Sequence, residues 1–373
     1  MTTEAKLLDF HKFKKLELIK KFEYFHCNKV FGEVYKVQER DTGKFFLANI
    51  SRPEDGNKNS KSFQRLIDIL PTFDHPSILR FVGFSKYISN EQSRSAIITD
   101  YFPTGTLKDV LKAEKSGHPL PGWNDTKKLI AIYGIAAGMA YIHSKNVLHR
   151  NLNPISVVFD DSFYPKIRNF NLVIKCEDES AIKPIKSTTE YTAPEIIMRE
   201  PSSKPMDVYS FGMLIYEIVT LHHPFEEIEN LNIIHVLQKV GKGQMPPFDQ
   251  STPQAYRKLI ERCWNQNPEE RPTFDEIVKL LRTDPGFITS NVKKEEYINY
   301  IRFLDNYRSK SKEADAKNVA SNEDKKILDE QIKIKTEENE HLRQENENLK
   351  KNLKDVKKKL QNVMKKKENE ANT

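Results

Sequence analysis

The sequence has few cysteines and no long hydrophobic segment. Its 373 residues include three cysteines, Cys27, Cys176 and Cys263, which are far apart and form no CxxC pair. This spacing fits neither a disulfide framework nor a metal site, so we expect a reducing, cytoplasmic setting. The longest apolar run, residues 131–142, is too short to span a bilayer. The segment that contains it, residues 125–144, has apolar residues on most faces and predicts a long buried helix. Residues 1–21 lack the unbroken apolar core of a secretory signal, and we expect no such signal there.

The positive charge of the chain is concentrated at one end. The formal net charge is +7, and residues 350–373 contribute +6 of it, from nine lysines and three acidic residues. The remainder is nearly neutral, so the charge says little about the folded part. Apolar residues make up 38% and charged residues 30% of the sequence, a polar balance that predicts a solvated tail beside one or two domains.

Residues 147–171, VLHRNLNPISVVFDDSFYPKIRNFN, carry the most informative pattern. They resemble the catalytic core of the eukaryotic protein kinases, in which HRD-L-K-P-x-N supplies a base and a metal ligand, and DFG supplies a second metal ligand. The resemblance holds at framework positions, which are His149, Arg150, Leu152, Pro154 and Phe170.

The same comparison fails wherever a kinase needs its reactive or metal-binding groups. Asn151 stands at the base position and Asn153 at the lysine that follows it. Ser156 replaces the metal-binding asparagine, and Asn169 replaces the metal-binding aspartate. Magnesium prefers carboxylate oxygens, and a neutral amide is not a general base. The resemblance therefore implies a kinase fold without catalytic residues and without a metal site.

The segment FGEVYKV, residues 31–37, resembles the end of the kinase glycine-rich loop. Glycines are needed there because backbone N–H groups must approach the phosphates closely. Only the third glycine, Gly32, is present, while Cys27 and Lys29 stand at the first two positions. A tight β-hairpin explains the segment better than phosphate binding does.

The buried lysine and glutamate of active kinases are also missing. Asn49 stands at the lysine position, in a register that puts Leu47 where a small residue usually contacts adenine; a shift of one residue puts Ile50 at the lysine position instead. The partner glutamate of the following helix corresponds to Leu66. The two losses are consistent with each other, because a buried carboxylate without its lysine partner would cost folding free energy. An alternative source of the lysine, as in the with-no-lysine kinases, is Lys29 or Lys36.

The remaining resemblance covers about residues 18–283 and is of the tyrosine-kinase-like type. IITDYFPTGTLKDVL, residues 97–111, resembles a kinase hinge, and TAPEII and DVYSFGMLIYEIVT resemble C-lobe framework motifs. The implied remnant of an ATP pocket consists of Gly32, Val34, Leu47, Thr99, Asp100 and Phe102. The implied framework residues are His149, Arg150, Phe170, Glu195, Asp207 and Arg271, with Arg271 expected to pair with Glu195. The implied regulatory spine is Leu70, Phe81, His149 and Phe170.

The segment that corresponds to the kinase activation loop contains hydroxyl side chains at Ser187, Thr188, Thr189 and Tyr191. These are candidates for phosphorylation, with Arg150 as a cationic partner. A solvated loop without this role explains the same residues.

A heptad pattern marks the C-terminal part of the chain. The a positions are Ile332, Asn339, Asn346, Leu353 and Leu360, and the d positions are Leu328, Lys335, Leu342, Leu349, Val356 and Val363. Asparagine at a selects a parallel two-stranded coiled coil, and Glu345 at g faces Lys350 at e of a partner. A solvated single helix is the alternative, because Lys335 interrupts the d positions. The lysine-rich end lacks aromatic residues, so we expect no specific nucleic-acid binding.

Together these features predict an α+β chain with a two-lobed protein-kinase-like fold, a small β-rich N-lobe, a helical C-lobe and a long C-terminal coiled-coil helix. The expected divisions are a lead-in (1–17), a kinase-like domain (18–283, with lobes at about 18–99 and 103–283), a helical extension and polar linker (284–324), a coiled coil (325–367) and a tail (368–373).

The expected function is that of a pseudokinase, a scaffold or allosteric partner of another kinase or signalling protein, which self-associates through residues 325–367. One alternative is a weakly active protein kinase that uses an atypical lysine. Another is a switch that binds ATP without metal and without turnover; otherwise no cofactor is expected.

Overall fold

The computed structural model describes residues 5–21, 30–52, 58–86, 94–178, 190–228 and 233–371. The chain divides into two compact units, Met1–Tyr307 and Arg308–Thr373. The first unit has a β-sheet N-lobe and a helical C-lobe, which confirms the predicted kinase-like fold. The described residues of the second unit are helical.

An antiparallel sheet of five strands forms the N-lobe. The strands are β1 (Phe13–Lys21), β2 (Phe31–Glu39), β3 (Phe45–Ser51), β4 (Phe81–Ser85) and β5 (Ala96–Asp100). Their order in the sheet is β1-β2-β3-β5-β4. Helix α1 (Lys58–Ile69) precedes β4.

The side chains of β3 alternate between the two faces of the sheet. Ala48 and Ile50 belong to a buried apolar cluster that also contains Phe10. Leu47 and Asn49 line a cavity on the opposite face. Asn49 therefore faces the cavity, whereas Ile50, which the alternative register puts at the kinase lysine position, faces the buried cluster.

The first strand lies partly in the segment predicted to be a lead-in, residues 1–17. β1 begins at Phe13, before the predicted domain start at residue 18, and further upstream Leu7 forms a parallel bridge to Phe84. The sequence FKKLELIKK is rich in lysine, which is typical of an edge strand that must not pair with another chain. This charge hid the strand, and the folded unit extends N-terminal of residue 18.

The C-lobe is mainly helical and is built around α3, which matches the predicted helix 125–144 at both ends. Its helices are α2 (Leu107–Lys115), α3 (Asp125–Ser144), α4 (Pro194–Ile197), α5 (Lys204–Thr220), α6 (Ile233–Gly241), α7 (Gln254–Cys263) and α8 (Phe274–Thr283). Short strands β6 (Val147–Leu148) and β9 (Ile174–Lys175) pair with each other, as do β7 (Val157–Phe159) and β8 (Pro165–Ile167). These strand pairs flank the segments that correspond to the catalytic and metal-binding loops.

The last helix, α9 (Lys294–Ala371), begins as part of the C-lobe. Tyr297 and Tyr300 are buried in the main core. The Tyr300 hydroxyl lies 3.2 Å from Ser77 Oγ, and the Tyr307 hydroxyl donates a hydrogen bond to Asp74. Residues 294–307 therefore complete the first unit, whose end lies beyond the predicted boundary at residue 283.

The polar linker predicted to end at residue 324 is helical in the structure. The sequence of α9 contains neither glycine nor proline, so nothing in it ends the helix once it has begun. The linker was predicted from polar composition alone, which does not distinguish a linker from a solvated helix.

Among the described residues, no helix combines the length and the apolar character that a bilayer span needs. Cys176 and Cys263 are free thiols, and Cys27 lies outside the described residues.

Candidate functional site

A small cavity lies at the position that the resemblance assigns to ATP. Its volume is about 60 Å³, well below the roughly 300–1,000 Å³ of a typical ligand pocket. Most of its lining is apolar and comes from Phe31, Val34, Leu47, Leu66, Leu70, Leu79, Phe81, Ile97 and Phe170. Its polar lining consists of Asn49, Thr99, Arg168, Asn169 and Asn171. No carboxylate occurs among these lining residues.

The glycine-rich-loop remnant contributes apolar bulk to this cavity. Phe31, at the start of β2, is 5% exposed and lines the cavity beside Val34. Gly32 packs against Arg52, whose Cγ would lie 3.3 Å from a Cβ at this position. The described part of the loop is thus the beginning of strand β2, where Gly32 packs against the Arg52 side chain. The first two glycine positions, Cys27 and Lys29, lie outside the described residues.

Asn49 and Leu66, which stand at the positions of the kinase lysine and glutamate, both line the cavity. In an active kinase, that lysine and glutamate form an ion pair. Leu66 is 2% exposed, so an apolar side chain is buried at the glutamate position. Lys36 does not replace the missing lysine, because its Nζ lies 4.7 Å from the centre of the Phe45 ring and 4.8 Å from that of Tyr101. This placement contradicts the suggestion that Lys36 reaches into the site.

Part of the predicted pocket lies outside the cavity. Val34, Leu47 and Thr99 line it, whereas Gly32, Asp100 and Phe102 do not. Leu47 is paired with Thr99 across β3 and β5, and both residues line the cavity. Asp100 instead binds Arg80 through two hydrogen bonds of 2.9 and 2.6 Å.

The catalytic-loop equivalents are held by hydrogen bonds among themselves. The Asn153 side chain donates to the Asn151 carbonyl and to Asn151 Oδ1, both at 3.1 Å. The buried Ser156 hydroxyl donates to the backbone carbonyl of Asn151. Neutral groups thus satisfy one another where a kinase would place a base and a metal ligand.

The segment that corresponds to DFG, residues 169–171, also carries neutral amides in place of a charged side chain. Asn169 has a left-handed backbone with φ of 70°, and its Oδ1 accepts a 2.7 Å hydrogen bond from Asn171 Nδ2. The described residues contain no cluster of three or more His, Cys, Asp or Glu side chains that could hold a metal. Two linked amides are a poor match for Mg²⁺, which prefers carboxylate oxygens.

Residues 27–281 match the family described as protein tyrosine and serine/threonine kinase. The chain belongs to the protein kinase family. It is 31% identical to serine/threonine-protein kinase CTR1 of Arabidopsis thaliana, over 68% of this chain and 30% of that protein. It is 28% identical to serine/threonine/tyrosine-protein kinase HT1 of the same plant, over 68% of this chain and 62% of that protein.

A third relative is the probable serine/threonine-protein kinase drkD of Dictyostelium discoideum, which is 27% identical over 71% of this chain and 20% of that protein. Across curated relatives of this kind the aligned part spans 13% to 62% of their length. These relatives are in keeping with the predicted resemblance to tyrosine-kinase-like kinases. The names place the chain in the family and leave its own activity open.

The kinase framework around the catalytic loop is intact and centres on Asp207 of α5. Its buried carboxylate accepts backbone hydrogen bonds from His149 at 2.9 Å and Arg150 at 2.8 Å, and it lies 3.0 Å from His143 Nε2. Burial acts to raise the pKa of the Asp207 carboxyl, but the hydrogen bond from His143 and its other contacts lower that pKa overall. The carboxylate therefore holds the loop in place as an anion.

His149 is fully buried and uncharged. Its Nδ1 accepts from the Asn151 N–H at 3.2 Å, so Nε2 must carry the proton that it donates to the Arg168 carbonyl at 3.0 Å. Burial lowers the pKa of His149. Its ring packs edge-on against Phe170 at 5.0 Å, while Phe170 and the other two spine residues, Leu70 and Phe81, line the cavity.

Arg271 and Glu195, which the sequence predicts to pair, form a buried ion pair. Arg271 Nη1 lies 2.7 Å from Glu195 Oε1, and Nη2 lies 2.9 Å from Oε2. The exposed fractions of the two side chains are 0% and 4%. This fork-to-fork geometry fixes the segment after the activation loop on the C-lobe.

Tyr191 was predicted to be a candidate for phosphorylation, but the structure buries its side chain. It is 6% exposed, and its hydroxyl donates to Glu217. Burial, with the nearby Glu217 charge, raises the pKa of Tyr191 well above its usual value. A modifying enzyme cannot reach this hydroxyl in the described fold. Ser187, Thr188 and Thr189 lie outside the described residues.

Two arginines lie next to the kinase motifs: Arg150, which the sequence predicts to be a framework residue, and Arg168, to which no motif assigned a role. Arg150 has a buried Nε with no hydrogen-bond partner, and burial lowers its pKa to about 10. Arg168, directly before Asn169, lines the cavity, and burial lowers its pKa as well. The sequence could have pointed to Arg168, because it places a positive side chain directly before Asn169, which stands at the position of the DFG aspartate.

Proposed function

We propose that this chain is a pseudokinase, a member of the kinase family without phosphotransfer activity that acts by binding other proteins. Phosphoryl transfer relies on positioning and on charge stabilisation by metal ions and cationic side chains. Asn49, Asn151 and Asn169 supply none of these charges. The family's framework contacts are present, as the Arg271–Glu195 pair and the Asp207 hydrogen bonds illustrate. Folding contacts without reactive groups favour a binding role.

The observation that carries the proposal is the cavity. A volume of about 60 Å³ lined by Phe31, Leu47 and Leu66 has no room for a nucleoside and offers no carboxylate for a metal. Mg²⁺–ATP therefore does not fit the residues present. Loss of the general base alone removes about 10²–10⁴-fold in rate. The switch that binds ATP without turnover is disfavoured for the same reason of space.

A weakly active protein kinase is the second candidate. The names of the curated relatives, including CTR1 and HT1, favour it, because they are named as kinases. This candidate needs an atypical lysine, and Lys29 is the one left after Lys36. It also needs the cavity to enlarge and a metal to bind amides, which the described geometry opposes.

A phosphotransfer assay separates the two candidates. The full chain is incubated with γ-labelled ATP, Mg²⁺ or Mn²⁺, and both Ser/Thr and Tyr peptide mixtures. We expect no incorporation above the blank. Metal-dependent incorporation that is lost in an Asn169→Ala variant would sink the proposal, because Asn169 would then be a working ligand.

We further propose that the chain self-associates through residues 325–367 and presents its kinase-like domain to another kinase or signalling protein. Four apolar side chains on the a and d positions of α9 are exposed, which are Leu342 (54%), Leu349 (59%), Leu353 (57%) and Val356 (61%). A stripe of this kind is stable in water when a second helix covers it. The side chains of Leu328, Ile332, Leu360 and Val363 lie outside the described set.

A further inference from the structure

The cavity contains two polar groups whose hydrogen-bonding capacity is unused. The Thr99 side-chain oxygen is buried and has no hydrogen-bond partner, in a residue that is only 8% exposed. Arg168 forms hydrogen bonds through its backbone, to Ser156 and His149. Among the described residues, its guanidinium has no carboxylate partner, in contrast to that of Arg271, which pairs with Glu195. Both residues line the same cavity.

The Arg168 guanidinium and the Thr99 hydroxyl are suited to binding an anion. Leaving a guanidinium without a carboxylate in a partly enclosed place costs free energy, and so does a hydroxyl without a partner. The other polar lining groups, Asn49, Asn169 and Asn171, are amides that can donate N–H groups. The charge of the lining is thus opposite to that of an active kinase, whose carboxylates attract a divalent cation.

The size of the cavity restricts the ligand. A water molecule takes about 30 Å³ in the liquid, so a cavity of about 60 Å³ admits a group of a few heavy atoms. A tetrahedral oxyanion is of this order, and a nucleoside is far larger. The oxygens of such an anion accept charge-assisted hydrogen bonds from a guanidinium, which are among the stronger ones in proteins.

We propose that the degenerate ATP site is a metal-independent oxyanion site, in which the Arg168 guanidinium and the Thr99 hydroxyl hold a phosphate-sized tetrahedral anion. This inference deepens the proposed function, on which it rests, by assigning a ligand class to the site that no longer fits Mg²⁺–ATP. The anion comes either as a free ion or as the phosphate of a larger ester that enters end-on.

The test is a thermal-shift titration of the full chain with sodium phosphate, in EDTA and at constant ionic strength. Wild type should show a saturable rise in melting temperature, since a ligand that binds only the folded state stabilises it. Arg168→Gln should weaken the affinity about tenfold or more, because it removes a hydrogen bond to a charged group. Arg302→Gln is the matched control, as its side chain is 64% exposed, and it should titrate like wild type.

Two further arms keep the test decisive. Thr99→Val preserves shape and removes only the hydroxyl, so it should weaken phosphate binding even if Arg168→Gln folds poorly. Without phosphate, Arg168→Gln should melt at or above the wild-type temperature, because an unpaired cation has been removed; a purely structural arginine would lower it. ATP in EDTA identifies the source: a shift with ATP alone assigns a phosphate ester, and a shift with phosphate assigns the free ion.

The inference is overturned if neither ligand gives a saturable shift, or if the shift is equal in wild type, Arg168→Gln and Thr99→Val. Such a result leaves the pseudokinase proposal standing. Metal-dependent phosphotransfer, in contrast, would remove that proposal whatever phosphate does, so the two failures are distinguishable.

Discussion

At the scale of single residues, the Arg271–Glu195 pair gives a direct prediction of stability. Arg271→Met should lower the free energy of unfolding by about 3–5 kcal/mol, because it leaves the Glu195 carboxylate buried without its partner. Urea unfolding followed by far-UV circular dichroism measures this. Arg302→Met, in an exposed contact with Glu295 at 3.5 Å, should cost no more than about 1 kcal/mol. Equal effects of the two substitutions would show that the buried pair is not a fixed part of the fold.

His149 predicts a dependence of stability on pH. Its pKa is lowered in the fold, so below the unfolded value of about 6.5 the unfolded chain binds more protons. The contribution of His149 is therefore fully present above the unfolded pKa and is lost progressively as the pH falls below it. Contact with Glu190 outweighs burial and raises the pKa of His223, which contributes with the opposite sign.

A comparison with His149→Phe isolates the His149 contribution, because Asp207, His143 and His223 are present in both proteins. The wild type should lose more stability than His149→Phe between pH 7.5 and pH 5.5, as measured by urea unfolding at each pH. Parallel pH profiles for the two proteins would mean that folding does not lower the pKa of His149, contrary to its burial and its hydrogen bond from Asn151.

At the scale of elements, the first turns of α9 are predicted to act as part of the C-lobe. Tyr300→Ala should destabilise the chain by about 3–5 kcal/mol, since it empties a fully buried site between α3 and the loop that carries Ser77. Asn299→Ala, on the exposed side of the same turn, is the control and should change little. A small effect of Tyr300→Ala in thermal unfolding would return the domain boundary to residue 283.

The sequence predicted an element well where burial leaves a distinct apolar pattern, and poorly where the element is exposed and charged. Helix α3 was predicted at both ends because it is apolar on most faces and buried. The start of strand β1 lies in the predicted lead-in because a charged edge strand has the composition of a solvated segment. Residues 308–324 were predicted to be a linker because a solvated helix and a linker share their composition. Tertiary contacts decide those cases.

The candidate site was predictable where a motif fixes the position of a residue. Asn49, Leu66 and Asn169 were placed by counting from motifs, and the structure brings all three to one cavity. The burial of Tyr191 and the unpaired hydroxyl of Thr99 depend on neighbours that are distant in sequence, such as Glu217. No local pattern records those contacts.

At the scale of the whole molecule, the predicted coiled coil determines the assembly state. The full chain should be a dimer by light scattering at micromolar concentration. Leu349→Lys places a charge in the apolar stripe and should shift the mass toward a monomer, whereas Asn348→Lys on the outer face should leave it a dimer. A monomeric wild type, or equal masses for both variants, would contradict self-association through α9.

The central claim is that a kinase-family fold has exchanged nucleotide chemistry for binding. Its most direct test is a thermal-shift titration of the full chain with ATP, with and without Mg²⁺ or Mn²⁺. A bound ligand stabilises by RT ln(1 + [L]/Kd), so even millimolar affinity is detectable. The account predicts no shift that requires the metal. A saturable, metal-dependent rise in melting temperature would contradict it, because Asn169 and Ser156 would then hold a divalent ion after all.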